Sequence, residues 1–336
     1  MSAIQNINRF IIPNDVIASL TEVYKSIGVS ENYKAITEAD YSQIVNQTIE
    51  RDTFFLSKLI NIDLSDNRLR LIITKSSTPR TNEERILYTI KEILTDFAYN
   101  PNKQKIDTST ILNLVNYIYP KMGIKYDIYK DDKRNNYNLS KKAKREILDE
   151  INNSFNKIYD DNSFEKIILI LNYYIDLVSL KPFTSYNEIV PYLMLYLLLN
   201  KIDCRAILYV SLFEHIYFNK AEFDDELQNA CFNWEEGYHQ VLPFVRYFIN
   251  LLNQLFKKCN SIVSSYIKEV NVNKADNIEN TILNLPNIFT KEEIRLTHPY
   301  VSDSTINRAL KKLHDENIIR PLGKGRSAKW LKVGIK

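Results

Sequence analysis

The stretch Leu180-Lys181-Pro182-Phe183-Thr184-Ser185-Tyr186-Asn187-Glu188 brings an amine, three hydroxyls, a carboxamide and a carboxylate together between two apolar runs. Groups of these kinds at this density could move protons or hold a charged ligand. A lysine with its ordinary pKa of about 10.4 is protonated at neutral pH, so Lys181 can act as a base only if burial lowers that value by several units. Other bases are distant. No glycine occurs between Gly123 and Gly237, and the histidine nearest to Lys181 is His215. A glycine-built phosphate cradle or a local imidazole base is therefore missing from this loop.

A second concentration of chemistry lies at the C-terminus. Between Pro299 and Lys336 there are nine Lys and Arg against three Asp and Glu, a net +6, while the whole 336-residue chain is only +3. Cations gathered in this way suit phosphates. The three cysteines, Cys204, Cys231 and Cys259, are far apart and lack metal-ligand spacing, so they read as free core thiols in a reducing, cytoplasmic setting. No metal site is expected.

The elements that must position these residues are mainly α-helical. Six glycines in 336 residues leave few left-handed turns, and a hydrophobic fraction of 45% with 25% charge is ordinary for a soluble globular chain. The N-terminus lacks a basic start followed by an apolar run, which argues against a secretory signal. The most apolar stretch, 189–199, is shorter than the roughly 20 residues a membrane span needs, so no membrane segment is expected. Apolar spacing predicts helices at 13–27, 37–60, 82–99 and 108–118, and residues 63–84 between the second and third read as a long polar connection. Residues 123–139, in which Tyr126 and Ile128 alternate with polar residues before a polar turn, fit a short hairpin. Helices follow from Ser140 and Phe164, then at 189–199, 204–217, 220–232 and 237–268.

The polar run 271–280 reads as a linker into a separate domain. In that domain a helix near 278–285 leads to Thr290, which can cap a helix with Glu293 three residues later. Ser302 caps the next helix, whose buried face is Ile306, Leu310 and Leu313. Two short strands joined by a glycine-containing turn close the chain. Three helices followed by a hairpin is the winged helix-turn-helix arrangement.

The run Lys181-Pro182-Phe183-Thr184-Ser185-Tyr186-Asn187-Glu188, set between two apolar helices and followed by Leu208-Tyr209-Val210-Ser211-Leu212, resembles the Fic family over residues 80–255. Members of that family carry His-Pro-Phe-x-Asp-Gly-Asn-Gly-Arg-x-x-Arg at this point and transfer AMP from ATP to a protein hydroxyl. The resemblance implies a Fic-like helical core with a hairpin flap, and a winged helix is a frequent companion. Pro182, Phe183 and Asn187 match the motif, but Lys181 stands for the histidine base and Ser185 for the metal-binding carboxylate. Tyr186 and Glu188 replace the glycines, and Ile189 and Tyr192 replace the arginines. Bulky and acidic side chains at the glycine positions oppose a polyphosphate, and nothing in the motif offsets its charge. In the places of the family's inhibitory helix, Ser/Thr-x-x-x-Glu-Gly/Asn, stand Asn46, Glu50 and Arg51, of which only Glu50 agrees with that pattern. Glu50 is thus either a relic of that device or a solvated carboxylate. The hairpin at 123–139 falls where the family's flap receives target peptides, and a plain surface loop is the alternative.

These readings divide the chain into an N-terminal helical region at 1–105, a Fic-like core at 106–268 and a winged helix at 276–336. Two functions follow. One is a Fic fold degenerate as an AMP transferase, acting as a DNA-binding regulator or scaffold, with a homodimer as an option and no cofactor required. DNA would be read by Ser304, Thr305, Asn307, Arg308, Lys311 and Lys312, while Lys324, Arg326 and Lys329 lie along phosphates. The other is an active Fic-type enzyme using ATP with Mg to transfer AMP or another phosphate-containing group. There the motif positions Lys181 and Ser185 would be catalytic, and Asn187 and Glu50 nucleotide-binding. A protein that binds a nucleotide as a signal without turning it over is a third reading.

Overall fold

The computed structural model describes residues 2–9, 11–75, 77–120, 122–127, 144–270, 274–299, 301–323 and 328–333. The chain divides into two compact units, Met1–Gly28 with Thr48–Leu255, and Val29–Gln47 with Phe256–Lys336. Helices dominate. They run in the order α1 (Asn14–Ser30), α2 (Tyr33–Ile36), α3 (Tyr41–Leu59), α4 (Asp66–Lys75), α5 (Asn82–Tyr99), α6 (Thr108–Ile118), α7 (Lys144–Asp160), α8 (Lys166–Leu180) and α9 (Ile189–Lys201). Then come α10 (Leu212–Phe218), α11 (Lys220–Cys231), α12 (Leu242–Val270), α13 (Lys274–Asn284), β1 (Ile288–Thr290), α14 (Lys291–Thr297), α15 (Asp303–Asp315), β2 (Ile319–Pro321) and β3 (Lys329–Lys332). No described helix is long and apolar enough to cross a membrane.

The centre of the first unit is α8 packed on α9, with α7, α11 and α5 around them. Both central helices are apolar on nearly every side: Ile167 to Ile170 and Leu193 to Leu199 are buried. A helix hydrophobic all round belongs inside a bundle. Glu165 starts α8, its carboxylate accepting from the amides of Ile167 and Ile168 at 2.9 and 2.6 Å, and so fixes where the core helix begins. Asp176, buried within α8, accepts from Ala3 N, Ile4 N and Trp234 Nε1 at 2.5, 3.0 and 2.6 Å. Burial raises its pKa to about 6, and the three donors pull it down. That carboxylate ties the start of the chain to the core.

Two expectations need correction. Residues 63–84 are not merely a connection, because α4 forms there and buries Leu69, Ile72 and Ile73 with Leu87 of α5. The flanking Ser65, Asp66, Ser77 and Pro79 masked a stretch with helical spacing in its middle. Within the linker expected at 271–280, residues 274–280 are instead helical, since α13 begins at Lys274, and Ile278 and Ile282 are buried.

In the second unit, α13, α14 and α15 pack beside an antiparallel sheet of order β1-β3-β2. Ile288 pairs with Leu331, and Ile319 with Lys332. Phe289, Ile294, Ile306, Leu310, Leu313 and Ile319 form its small core. The capping box expected at Thr290 is present: Glu293 N donates to Thr290 Oγ1 at 3.3 Å and Thr290 N to Glu293 Oε2 at 2.6 Å. The Ser302 cap is present as well, accepting from Thr305 N at 3.3 Å. The strand β1 was missed, because three residues ending on a cap are too short for a periodic signal.

Candidate functional site

The loop after α8 is held from three directions. Lys181 ends the helix in the left-handed region, with φ 43° and ψ 69°, and its amine side chain is exposed. Residues 125–127 run antiparallel to it: Thr184 N donates to Lys125 O at 3.0 Å, Asp127 N donates to Pro182 O at 2.9 Å, and Tyr126 bridges Phe183. Lys144 adds a bond from Nζ to Lys181 O at 3.0 Å and an ion pair with Asp127 at 3.2 Å. Of residues 123–139, expected to form a hairpin, 123–127 are described and pair with this loop, while residues 128–139 lie outside the described residues.

Inside the loop, Asn187 spends both ends of its amide on one residue. Its Oδ1 accepts from Phe183 N and its Nδ2 donates to Phe183 O, each at 2.8 Å. Tyr186, where the Fic motif has glycine, keeps a glycine-like backbone with φ 58°, a conformation that costs an L-residue roughly 1 kcal/mol or more. Its ring lies on that of Tyr119 with centroids 4.1 Å apart, which offsets part of that cost. Ser185 and Glu188 are exposed, and Glu188 makes no side-chain cap for α9.

The two positions held by arginine in the motif face inward. Ile189 is buried. Tyr192 meets Tyr174, Phe213 and Phe223 at centroid distances of 6.1, 5.8 and 6.5 Å, and Tyr174 stacks on Phe244 at 5.9 Å. Burial raises the Tyr192 hydroxyl to about 12. This aromatic cluster joins α8, α9, α10, α11 and α12, and spacing alone could not show it because each ring lies on a different helix.

Glu50 on α3 accepts from Lys91 Nζ at 3.2 Å, and Lys91 also donates to Ile73 O at 2.5 Å. Arg51 reaches Glu214 of α10 through two bonds, with Nε to Oε2 at 3.2 Å. Asp52, fully buried, accepts from Ser211 Oγ at 2.7 Å and Phe213 N at 3.0 Å, while its Oδ2 has no hydrogen-bond partner among the described residues. Burial pushes its pKa to about 7, and Glu214 adds to the rise that its hydrogen bonds and Arg51 oppose. Three consecutive residues of α3 therefore anchor that helix to α5 and α10. The sequence signal was available in Ser211-x-x-Glu214, a capping pattern whose hydroxyl does cap α10, accepting from Glu214 N at 3.1 Å.

The basic residues of the second unit fall into two sets. Lys312 holds Glu279 at 2.7 and 2.8 Å, and Lys332 donates to the carbonyls of Leu283 and Leu285. Lys291 and Arg295 pair with Asp303, whose carboxyl the two cations hold below its usual range against the opposing effect of burial. Ser304 shares a hydrogen bond with Ser302 at 2.7 Å, and Thr305 one at 2.9 Å. Asn307, Arg308, Lys311 and Lys329 are exposed, and among the described residues their side chains have no hydrogen-bond or ion-pair partner. Lys324 and Arg326 lie outside the described residues.

The architecture is the mainly helical Fic fold. A Fic family protein from Desulfovibrio desulfuricans G20 is similar with a TM-score of 0.55 and 10% identity, over 97% of this chain and 98% of that one. A Fic domain containing signaling protein from Bacteroides thetaiotaomicron VPI-5482 is similar with a TM-score of 0.53 and 13% identity, over 74% of this chain and 97% of that one. At these identities the likeness is one of fold. The sequence matches no family model and no curated protein.

Proposed function

We propose that this Fic-fold chain has lost AMP transfer at its motif loop and acts as a DNA-binding regulator through a C-terminal winged helix-turn-helix. The reading is carried by the second unit, where Lys291, Arg295, Lys312 and Lys332 are tied to local carboxylates or carbonyls while, among the described residues, the exposed Asn307, Arg308 and Lys311 side chains of α15 have no partner. Unpaired cations on one helix face are what a polyanion requires. In this reading α14 and α15 form the helix-turn-helix, α15 is the recognition helix, and β2 and β3 flank the wing with Lys324, Arg326 and Lys329.

The loop supports the other half. A triphosphate needs cations and open backbone amides, and here the arginine positions hold a buried Ile189 and a Tyr192 packed among rings. Asn187 is already saturated by Phe183. Glu188 brings a negative charge to the start of α9, where a phosphate would sit. Glu50, paired with Lys91, then serves α3 packing rather than nucleotide control.

Fluorescence anisotropy with duplex DNA across a salt series tests the DNA half, with affinity expected to fall steeply as salt rises. Absence of binding at low salt, or affinity indifferent to salt, overturns it. Labelled ATP with magnesium and a cell lysate tests the loop. Label appearing on a protein and vanishing in Lys181→Ala would restore the enzyme.

A further inference from the structure

Ser304, Asn307, Arg308 and Lys311 recur at the three- and four-residue spacing of one helical stripe, and all four are exposed on α15. They are not equivalent. The Ser304 hydroxyl is engaged with Ser302 in the cap, and Lys311 is a point charge that suits phosphate. Asn307 and Arg308 instead carry planar, multiply bonding groups, and among the described residues neither group has a partner.

The Asn307 carboxamide offers an acceptor beside a donor, the complement of adenine N6 and N7 in the major groove. The Arg308 guanidinium offers two parallel donors, the complement of guanine O6 and N7. Both residues lie within the first two turns of α15, the part of a recognition helix that meets base edges. Because they are consecutive on the helix, the base pairs within their reach are neighbours. Asp303, which would bring a carboxylate to the same end of the helix, is neutralised by Arg295 and Lys291.

We infer that Asn307 and Arg308 determine sequence preference, Asn307 selecting adenine and Arg308 selecting guanine on adjacent base pairs of duplex DNA. This rests on the DNA-binding reading above. It goes beyond that reading because phosphate contacts alone carry no sequence information.

Selection of the full chain on randomised duplex oligonucleotides, followed by anisotropy on the enriched sequence, tests the assignment. The enriched pool should hold adenine next to guanine, and replacing either base should weaken binding about tenfold. Arg308→Lys keeps the charge but lacks the fork, so it should lose discrimination at guanine and keep it at adenine. Asn307→Ala should do the reverse. Both sites are exposed, so unchanged thermal midpoints certify the fold of each variant. A pool bound without an adenine–guanine step, or discrimination surviving both substitutions, overturns this inference and leaves the DNA reading intact. No retention of any duplex at low salt defeats the DNA reading and this assignment together.

Discussion

The loop after α8 and the exposed face of α15 contain similar side chains and use them in opposite ways. In the loop, Asn187 closes on Phe183, the Lys181 carbonyl takes a bond from Lys144, and Tyr186 lies on Tyr119. On α15, the side chains of Asn307, Arg308 and Lys311 make no bond within the described residues. A carboxamide that has both partners at home rigidifies its own segment, whereas one left solvated loses little on exchanging water for a ligand. The two asparagines thus separate a segment closed on itself from the face that the proposal assigns to DNA, although their residue type is the same.

Restoring the motif's second arginine tests the structural side hardest. Tyr192→Arg would put a guanidinium among Tyr174, Phe213 and Phe223, where the nearby carboxylate of Asp224 is already paired with Lys220, and should destabilise the protein by about 2–4 kcal/mol in urea unfolding. A loss below about 1 kcal/mol would mean that the cluster opens readily and that the position can still face a ligand. Arg308→Ala should change the same measurement by less than about 0.5 kcal/mol.

Asp52 sharpens the contrast through pH. Its folded pKa of about 7 lies above the ordinary carboxylate value of about 3.9, so the folded state keeps a proton that the unfolded chain has released. This group's contribution to stability therefore falls as pH rises from about 4 to about 7, and ionised Asp52 is tolerated worst above that window. Asp176, raised to about 6, adds a smaller slope of the same sign. Asp52→Asn can still accept from Ser211 and Phe213, and its advantage over the parent should grow by on the order of 2 kcal/mol between about pH 5 and about pH 8. Parallel stability curves for the two proteins would show that the carboxyl does not titrate there.

The legible parts of the sequence were those with local causes. The Thr290 and Ser302 caps, α5, and the stripe of Ile306, Leu310 and Leu313 are each set within one or two turns of chain, and they appear as expected. What escaped needs residues far apart in sequence. Asp176 meets Ala3 and Trp234, Asp52 meets Ser211, and Tyr192 meets Phe223, contacts that no periodicity encodes. The short helix α4 was hidden differently, since its polar flanks outweigh three buried side chains. At the loop, that Ile189 and Tyr192 stand where the Fic motif has arginine could be read from residue types, but that Asn187 is consumed by Phe183 could not.

The smallest effect separates two adjacent lysines on α15. Lys312 is held by both oxygens of Glu279, so its charge is already balanced and its removal frees a carboxylate that repels phosphate only weakly from behind the helix face. Lys311 has no such partner and lies on the Ser304–Arg308 stripe. Lys311→Ala should lower the slope of log affinity against log salt by about one, with a uniform loss across DNA sequences. Lys312→Ala should leave that slope nearly unchanged, while its lost ion pair shows as a stability change of less than about 1 kcal/mol. Equal slopes for the two variants would mean that DNA draws Lys312 away from Glu279, and internal pairing would then no longer distinguish structural cations from binding ones in this unit.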